Sequence, residues 1–453
     1  MSSHRSLSPL FTSSLLISAA SLLAACGGSS KAVKPSDVSG RYIIAIGDAD
    51  MTATAFSTGD LGERNPLAKD TLTVVTLPIQ EPNTPFAQIN VSNSALCPPT
   101  CLSVTRDGRY AFVVDHRGPA GPEARRVEDL PKGETVAAID LTQPLNPRVS
   151  AMAQVGISPV AVGVNARGDL LAIAASAPRH QIVIVPTLQG EFSGEPAAWP
   201  LLGLDDDEAV PSSIAWHPAG HALAVTLQSR GEVMFYRFKR DSSGDMAVAP
   251  WGKPVAVGKS PYSGAFTPDG RFFIVNDLMW GSDVDGYNVG APPGRLVVID
   301  VSEMAAGLDS PLAEDAQHRV IGVANTGVSP IGMAISNDGR LIATANMQRS
   351  HLPDNDPRLA GQPRGGSVSL LSLSPDGSLT PAGEYPINAM PAGISFDAAD
   401  RFLCVTQFRS FDADATDGEL AFWKVRRGAT PSLEGADFFV GVGAGPHGVL
   451  IVR

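Results

Sequence analysis

The fold is decided by a stretch that recurs along the chain, and its clearest copy reads Ser329-Pro330-Ile-Gly-Met-Ala-Ile-Ser-Asn-Asp338-Gly339-Arg340-Leu-Ile-Ala-Thr-Ala-Asn346. A second copy reads Ser260-Pro261-Tyr-Ser-Gly-Ala-Phe-Thr-Pro-Asp269-Gly270-Arg271-Phe-Phe-Ile-Val-Asn276. In both, a proline introduces a short strand, a tight turn follows, and a strongly apolar strand ends at an asparagine. Proline fixes the backbone at the entry, and glycine permits the positive φ that a tight hairpin needs. The stretch therefore predicts a β-hairpin.

Four further copies follow the same scheme, so the hairpin is a repeat unit. They are Pro98 to Asp115, Pro159 to Ala175, Pro211 to Leu227, and Pro391 to Gln407. Each of the six copies is followed by a predicted third strand, and these are Glu134 to Asp140, Gln181 to Val185, Gly231 to Phe238, Gly294 to Val301, Gly366 to Leu373 and Gly418 to Val425. A fourth, more polar strand then leads to the next proline. Each repeat thus predicts a four-stranded antiparallel blade.

A seventh copy is divided between the two ends of the chain. Gly445 to Val452 reads as a first strand with nothing after it, whereas Arg41 to Ile46 and Thr71 to Leu77 read as second and third strands with no first strand before them. Pairing the N-terminal strands with the C-terminal strand would close a ring and leave no exposed terminal edge. We therefore predict an all-β fold, a seven-bladed β-propeller. A β-sandwich array or a β-helix would not explain the divided repeat.

Length and composition agree with a single closed ring. The chain has 453 residues with 45 glycines and 37 prolines, which favours many short strands joined by turns. Successive proline markers lie 50 to 69 residues apart, more than the roughly 40 to 45 of a compact blade, so the excess is expected in loops. The net charge of −12 argues against a nucleic-acid partner.

The N-terminus has the pattern of a secretory signal. Arg5 precedes an apolar stretch that ends in Leu23-Ala24-Ala25-Cys26, which resembles the lipobox of bacterial lipoproteins. The resemblance implies removal of residues 1–25, acylation of Cys26, and a linker over 26–40 before a propeller over 41–453. An ordinary signal peptide is the alternative. Because Gly27 is not an aspartate, we expect a cell-envelope protein at the outer rather than the inner membrane, attached through its lipid.

The repeats resemble the family of seven-bladed lactonase-like and YVTN-type propellers. The resemblance is carried by Pro261 to Asn276, Pro330 to Asn346 and Pro446-His447-Gly448, and it covers residues 41–453. The phosphogluconolactonase branch implies an Asn-Glu-Leu-like segment after the second strand of a blade. Asn276-Asp277-Leu278 matches this segment only in part, and no other repeat of the sequence supplies it. Lactonase activity is therefore not carried over from the resemblance.

The candidate site lies on the face where the long loops between second and third strands gather. These loops are Asp115 to Gly133, Asn276 to Pro293, Asn346 to Arg364 and Gln407 to Asp417. Loops on a rigid scaffold are a common place for binding sites. The predicted ligand-binding residues around the channel mouth are Asp48, Asp115, His116, Arg117, Asn276, Asp277, Trp280, Asn346, Arg349, His351, Gln407, Arg409 and His447.

Two functions follow from these residues. Arginine and histidine suit an anionic ligand, so the first hypothesis is a binding or scaffolding propeller for a protein, a glycan or a small anion. In the second, the chain hydrolyses a lactone or sugar-acid ester with Asp277, His351 or His447 as catalytic groups. A structural alternative is that Arg349 and Arg409 only pair with nearby acids, namely Asp354, Asp356, Asp412 and Asp414.

Cysteine and metal chemistry give weaker expectations. Cys97 and Cys101 lie at a blade entry, and an oxidising compartment favours a disulfide between them. The oxygen-rich loops around Asp283, Asp285, Asp354 and Asp356 could hold Ca²⁺, although none completes an EF-hand loop. No cofactor is predicted beyond this calcium possibility.

Overall fold

Each repeat of the sequence forms one antiparallel sheet, and the sheets are arranged as the blades of a propeller. A computed structural model describes residues 34–62, 65, 67–80, 83–96, 99–204, 209–283, 290–301, 316–411 and 418–453. In this part of the chain seven sheets are present. The predicted seven-bladed β-propeller of four-stranded blades is therefore confirmed.

The strands run in chain order from the N-terminal part of blade 7 around the ring and back to it. Blade 7 begins with β1 (Tyr42–Gly47), β2 (Thr71–Thr76) and β3 (Phe86–Asn90). Blade 1 contains β4 (Leu102–Val104), β5 (Tyr110–Val114), β6 (Thr135–Asp140) and β7 (Arg148–Gln154). Blade 2 contains β8 (Pro159–Val164), β9 (Leu170–Ala175), β10 (Ile182–Leu188) and a divided fourth strand, β11 (Glu191–Phe192) and β12 (Ala197–Trp199). Blade 3 contains β13 (Pro211–Trp216), β14 (Ala222–Leu227), β15 (Glu232–Arg240) and a divided fourth strand, β16 (Met246–Pro250) and β17 (Val255–Ala256).

The second half of the ring has the same organisation. Blade 4 contains β18 (Pro261–Phe266), β19 (Phe272–Asp277), β20 (Pro293–Asp300) and β21 (Arg319–Val328). Blade 5 contains β22 (Pro330–Ile335), β23 (Leu341–Asn346), β24 (Gly366–Leu373) and β25 (Leu379–Ile387). Blade 6 contains β26 (Ala389–Phe396), β27 (Phe402–Ser410), β28 (Glu419–Arg426) and β29 (Ser432–Gly441). The last strand, β30 (Pro446–Val452), is the first strand of blade 7.

The ring closes as the divided repeat predicts. Strand β30 pairs antiparallel with β1, from Tyr42 opposite Val452 to Gly47 opposite Pro446. Strands β2 and β3 complete the sheet on the other side of β1. One blade is thus built from both ends of the chain, so opening the ring requires this sheet to come apart.

Helical structure is short in the described residues. The α-helix α1 spans Ala55–Thr58, and the 3-10 helices are Pro35–Asp37, Pro99–Cys101, Val127–Asp129, Gln228–Arg230 and Pro357–Leu359. A search of the described residues finds no helix of the length and apolarity that crossing a bilayer requires.

The apolar core lies between the blades, because second strands are buried on both sides. Every residue of β9, Leu170–Ala175, is buried. Between blades 6 and 7, Phe422 stacks on Phe438 with ring centroids 4.9 Å apart. Between blades 3 and 4, Phe235 packs edge-on against Phe273 at 5.6 Å. Burying both sides of a strand explains its near-continuous apolar sequence.

The Asp-Gly-Arg turns stabilise one end of the blades, called here the turn face. In blade 4, Thr267 donates to the carboxylate of Asp269 at 2.6 Å, and the backbone N–H of Arg271 donates to the same oxygen at 3.1 Å. Gly270 has a φ of +75°, the left-handed region that glycine tolerates best. These repeated polar residues therefore have a structural role. The opposite end, with the long loops, is called the loop face.

The N-terminal segment 34–41 lies on the turn face. Val38 is buried between blades 6 and 7. The backbone N–H of Ser39 donates to Asp397 of blade 6 at 2.9 Å, and the guanidinium of Arg41 donates to the carbonyl oxygen of Asp107 in blade 1. The chain therefore enters the propeller from the turn face and is fixed there before β1 begins.

Candidate functional site

The centre of the loop face is covered by residues 51–62, called here the cover segment, which lie between β1 and β2 and include α1. Its apolar residues pack against loops of blades 4, 5 and 6, with Leu61, Leu278 and Met347 in one buried cluster. Phe56 meets Phe408 edge-on, with ring centroids 6.1 Å apart. The loops of several blades thus meet at one place, as the sequence predicts. They pack there against the apolar residues of the cover segment.

Two contacts with blade 1 hold the cover segment in place. The backbone N–H of Leu61 donates to the carbonyl of Arg125 at 2.8 Å. The side chains of Asp60 and Arg126 form an ion pair at 2.7 Å. Both side chains of that pair are half-exposed, so the ion pair alone contributes little stability.

A small cavity, called here the axial cavity, lies beneath the cover segment on the propeller axis. Its lining is mostly apolar and aromatic, and the residues are Phe56, Ala95, Pro99, Tyr262, Trp280, Ile331, Met390, Ala392, Phe408 and His447. The volume is about 20 Å³, enough for one water molecule. Trp280, a predicted ligand-binding residue, lines this cavity and donates through Nε1 to the hydroxyl of Ser329 at 2.9 Å.

Asp277, a predicted catalytic and ligand-binding residue, is fully buried at the end of β19. Its carboxylate accepts hydrogen bonds from the backbone N–H groups of Lys259 at 3.1 Å, Ser260 at 2.8 Å and Met279 at 3.0 Å. The guanidinium of Arg295 lies 3.5 Å away. These contacts fasten the loop between blades 3 and 4, and they occupy both carboxylate oxygens.

Asp48 and Asp115 have similar positions and similar partners. Asp48 is buried and accepts from the N–H groups of Met51 at 3.0 Å and Ala95 at 2.7 Å. Asp115 accepts from the N–H of Thr135 at 2.8 Å. Burial raises the pKa of both carboxyl groups above the usual value, and the backbone donors partly offset that rise.

The predicted amide residues at strand ends are also buried. Asn276 accepts from the N–H of Ser263 at 2.6 Å, and Asn346 donates to the hydroxyl of Ser369 at 2.9 Å. The Oε1 atom of Gln407 is buried and has no hydrogen-bond partner among the described residues. The polar residues that the sequence places around the channel mouth are therefore present there, but they face the protein interior. Ligand binding by these residues stays a prediction.

Of the three predicted histidines, His351 and His447 are buried and His116 is half-buried, and they lie in different surroundings. His351 is 0% exposed, and neither of its ring nitrogens has a partner in the described part of the chain. Burial lowers the pKa of His351 and of His116 to about 4, so both are neutral at pH 7. Burial also acts to lower the pKa of His447, but the neighbouring Cys101, Asp48 and Asp70 outweigh it and raise that pKa above the usual value.

Two of the predicted arginines are held by loop contacts. Arg409 donates to Asp354 at 2.7 Å and lies over the ring of Phe411, with Arg364 on the same ring and the same carboxylate. Arg117 donates to the carbonyl of Leu130 at 3.2 Å. The Arg409–Asp354 ion pair is one that the structural alternative expects, whereas Asp412 and Asp414 lie outside the described residues.

Arg349 differs from them, because it lines an open cleft and has no ion-pair partner among the described residues. Its hydrogen bond within the described chain is to the carbonyl of Arg358 at 3.4 Å, and it makes no ion pair there. The cleft, called here the Arg349 cleft, lies between blades 4 and 5 and has a volume of about 460 Å³. Its other polar walls are Gln348, Ser367 and Glu384, with Glu384 accepting from the other two at 2.7 Å each.

A second cleft on the loop face, of about 660 Å³, lies between blades 7 and 1. Its polar walls include Asp50, Lys69, Asp70 and Arg125. Burial, followed by the charge of nearby Asp48, raises the pKa of Asp70 to about 8. At neutral pH this carboxyl group is therefore largely protonated.

The predicted metal-binding acids are paired with cations where the structure describes them. Asp283 forms an ion pair with Lys259, and Asp356 forms one with Arg358. Hydrogen bonds from Arg358 lower the pKa of Asp356 to about 2. Asp285 lies outside the described residues. No group of three metal-ligating side chains occurs in the described ranges, and a calcium site stays a prediction.

The predicted disulfide and lipid attachment fall partly or wholly outside the described chain. Cys26 and Cys97 are not among the described residues. Cys101 is buried, with its Sγ atom 3.9 Å from Nδ1 of His447. The Cys97 to Cys101 disulfide and the acylation of Cys26 therefore stay predictions.

Sequence reasoning missed the cover segment and several site residues. The interval from Ile46 to Thr71 is longer than the loops that were identified, which is a signal for the cover segment. The sequence gives no comparable signal for three other site residues, namely Asp70, Asn93 and Glu384. Each of them contacts side chains or backbone groups from parts of the chain that are distant in the sequence.

Comparison with known proteins supports the fold and leaves the chemistry open. No protein-family model matches the chain, and no curated protein matches its sequence. Among solved structures, the periplasmic gluconolactonase of Pseudomonas aeruginosa is similar, with 15% identity, a TM-score of 0.59, and coverage of 91% of this chain and 99% of that one. A Bacteroides fragilis protein provisionally called a 6-phosphogluconolactonase has 13% identity, a TM-score of 0.58, and coverage of 90% and 97%.

A third similar structure has another kind of name. The hypothetical selenium-binding protein of Sulfolobus tokodaii has 12% identity, a TM-score of 0.55, and coverage of 91% of this chain and 93% of that one. The chain thus has the seven-bladed propeller fold with lactonase-like structural neighbours. Because one fold hosts many activities, function must be argued from the site.

Proposed function

We propose that this protein is an exported, lipid-anchored binding propeller that holds a small anionic ligand in the Arg349 cleft. The observation that carries the proposal is the Arg349 guanidinium itself. It lines a cleft of about 460 Å³ and makes no ion pair with any described residue. A guanidinium without a partner acid suits a carboxylate, which it binds through two parallel hydrogen bonds.

The remaining walls of the cleft favour a ligand that also carries hydroxyl groups. Gln348, Ser367 and Glu384 supply an amide, a hydroxyl and a carboxylate within one hydrogen-bonded group. A sugar acid combines a carboxylate for Arg349 with hydroxyl groups for these acceptors and donors. We therefore expect the ligand to be a sugar acid or a compound of similar chemistry.

Binding is preferred over hydrolysis because the candidate catalytic groups do not meet in an open site. Asp277 is fully buried and accepts from three backbone N–H groups, and His351 is fully buried elsewhere in the loop face. His447 lines the axial cavity, whose volume is about 20 Å³. A general base needs to reach its substrate, directly or through one water.

The proposal is tested by calorimetry of the full-length chain with gluconate, and with glucose as a neutral ligand of similar hydroxyl content. We expect gluconate to bind and glucose to bind far more weakly. Arg349→Ala should weaken gluconate binding by at least about tenfold, since hydrogen bonds to charged groups contribute about 1.5 to 3 kcal/mol. Arg167→Ala, which removes an exposed arginine on the turn face, is the matched control. Unchanged affinity in Arg349→Ala would show that the site is elsewhere.

A lactone hydrolase is the second candidate, and the propeller fold shared with the P. aeruginosa periplasmic gluconolactonase favours it. The test is acid release from glucono-δ-lactone, measured at constant pH and corrected for spontaneous hydrolysis. If the chain is a hydrolase that uses the predicted groups, Asp277→Ala and His351→Ala abolish turnover while the fold survives. If acid is released only at the spontaneous rate, the hydrolase candidate is wrong and the binding function remains.

A further inference from the structure

The Arg349 cleft contains a second charged group that has no partner of opposite charge. In the described lining of the cleft, the charged side chains are Arg349 and Glu384. Glu384 lies on β25 and is exposed, and its printed contacts are with neutral side chains. Neither Glu384 nor Arg349 forms an ion pair within the described ranges, so the two are not paired with each other. The cleft therefore offers one free cation and one free anion.

The carboxylate of Glu384 is held through only one of its two oxygens. Oε1 accepts hydrogen bonds from the amide of Gln348 and from the hydroxyl of Ser367, at 2.7 Å each. Oε2 has no hydrogen-bond partner in the described part of the chain. A carboxylate can accept about four hydrogen bonds. The acceptor sites on Oε2 are therefore available to a ligand in the cleft.

Two features of the backbone fix this carboxylate in the cleft wall. A Cβ atom at Gly327 would lie 2.7 Å from Oε1 of Glu384 and 2.7 Å from the hydroxyl of Ser367, so the chain passes there only as glycine. Gln348 has a φ of +54°, which a residue other than glycine rarely adopts, and its amide donates to both Ser367 and Glu384. Unusual backbone conformations held by their surroundings are concentrated at ligand sites.

We propose that the ligand of the Arg349 cleft is a zwitterion, with its carboxylate on Arg349 and an ammonium group on Glu384. The inference rests on the binding function proposed above, and it narrows the ligand class from sugar acids in general to acids that also carry an amino group. Amino-sugar acids combine these two charges with hydroxyl groups.

The charges of the cleft explain this preference. A ligand with a carboxylate alone meets attraction from Arg349 and repulsion from Glu384. A zwitterion converts the second interaction into an attraction, because an ammonium group donates to the open side of the carboxylate. Discrimination between two ligands commonly uses such a repulsive group together with an attractive one.

The test is calorimetry of the full-length chain with acids that differ in a single group. The ligands are gluconate, glucosaminate, the isomer that carries its amino group at the far end of the carbon chain, and N-acetylglucosaminate. We expect at least one amino acid to bind at least about threefold more tightly than gluconate, a modest factor because solvent screens the exposed Glu384. Acetylation removes the positive charge, so N-acetylglucosaminate should show no gain.

The outcomes separate this inference from the binding function on which it rests. If gluconate binds in an Arg349-dependent way and neither amino acid binds more tightly, the zwitterion is wrong and the binding function stands. If none of the four ligands binds, both are wrong. A gain for an amino acid that shrinks as salt is added supports the charge interaction.

Glu384→Gln tests which side chain receives the ammonium group. Glutamine keeps an acceptor oxygen for Gln348 and Ser367 and removes the negative charge. We expect the ratio of the amino-acid affinity to the gluconate affinity to fall to about one. Glu191→Gln makes the same change at an exposed position on β11 of blade 2, and it should leave the ratio unchanged.

Gly327→Ala provides a second reading in which both charges remain. Its methyl group displaces the Glu384 carboxylate from the position described above, so the affinity ratio should fall while the net charge is constant. The melting temperature of each variant shows that it is folded. Retention of the full preference in Glu384→Gln would overturn the proposal, whatever the result with Gly327→Ala.

Discussion

Replacement of Asp277 by alanine tests whether this carboxylate fastens a loop or performs chemistry. Asp277 is fully buried, and its two oxygens accept from the backbone N–H groups of Lys259, Ser260 and Met279 at 2.8 to 3.1 Å. Alanine removes both acceptor oxygens at once and leaves three backbone N–H groups without this partner. We therefore expect Asp277→Ala to destabilise the propeller whether or not it has a substrate.

The magnitude follows from the number of donors left without a partner. Ser260 is buried, so its unpaired donor costs about 1 to 3 kcal/mol, whereas exposed Lys259 and half-buried Met279 each lose a hydrogen bond of about 0.5 to 1.5 kcal/mol. The total cost is then at least about 2 kcal/mol. An unfolding entropy of about 2.1 cal/mol/K per residue gives about 0.9 kcal/mol/K for a domain of roughly 400 residues. The expected fall in melting temperature is then about 2 °C or more.

The assay is differential scanning calorimetry at pH 7 of the parent chain, Asp277→Ala and Asp277→Asn. Asparagine keeps one acceptor oxygen, so its melting temperature should lie between the other two. Asp269→Ala, on the turn face of the same blade, is the control, because Asp269 is exposed and the Thr267 hydroxyl can still donate to the carbonyl of Phe272 at 3.2 Å. A melting temperature for Asp277→Ala within about 1 °C of the parent would refute the fastening role.

Three further predictions concern the core, the pH dependence and the anchor. Phe422→Ala should cost about 3 to 5 kcal/mol in thermal unfolding, because it empties a buried stack, whereas Phe439→Ala, 46% exposed, should cost less than about 1 kcal/mol. The pKa of His351 is about 4 in the folded chain, against about 6.5 for a histidine exposed in the unfolded chain, so the unfolded state binds more protons in this range. The folded state should therefore lose up to about 3 kcal/mol as pH falls from 6.5 to 4, and His351→Leu should flatten that decline in melting temperature. Cys26→Ser should abolish incorporation of labelled palmitate and move the protein from the detergent phase to the aqueous phase. Labelling that persists in this variant would contradict the anchor.

The fold was predictable because its information is local and repeated. The proline entry, the turn and the apolar second strand recur in each blade, as in Pro330 to Asn346, and they specify a hairpin without reference to distant residues. The pairing of β30 with β1 was predictable for a different reason, since each end of the chain lacks the strands that the other end supplies.

The candidate site was less predictable because its contacts join distant parts of the chain. Asp277 follows an apolar strand in the same way whether its carboxylate faces water or accepts from three backbone N–H groups. Arg349 and Glu384 share a cleft because β23 and β25 lie on either side of β24, and sequence spacing does not show which side chains meet there. Within the described ranges the cover segment has no counterpart in the other blades, so no repeat pointed to its position.

The attachment of residues 34–41 to the turn face has a consequence for orientation at a membrane. If Cys26 carries the lipid, seven residues separate it from Lys34, and a fully extended chain spans at most about 3.3 to 3.6 Å per residue. The turn face is then tethered within roughly 30 Å of the bilayer surface. The Arg349 cleft opens on the loop face, so with such an anchor it would face the surrounding solution. A ligand diffusing in that compartment reaches the cleft without passing between the protein and the lipid headgroups.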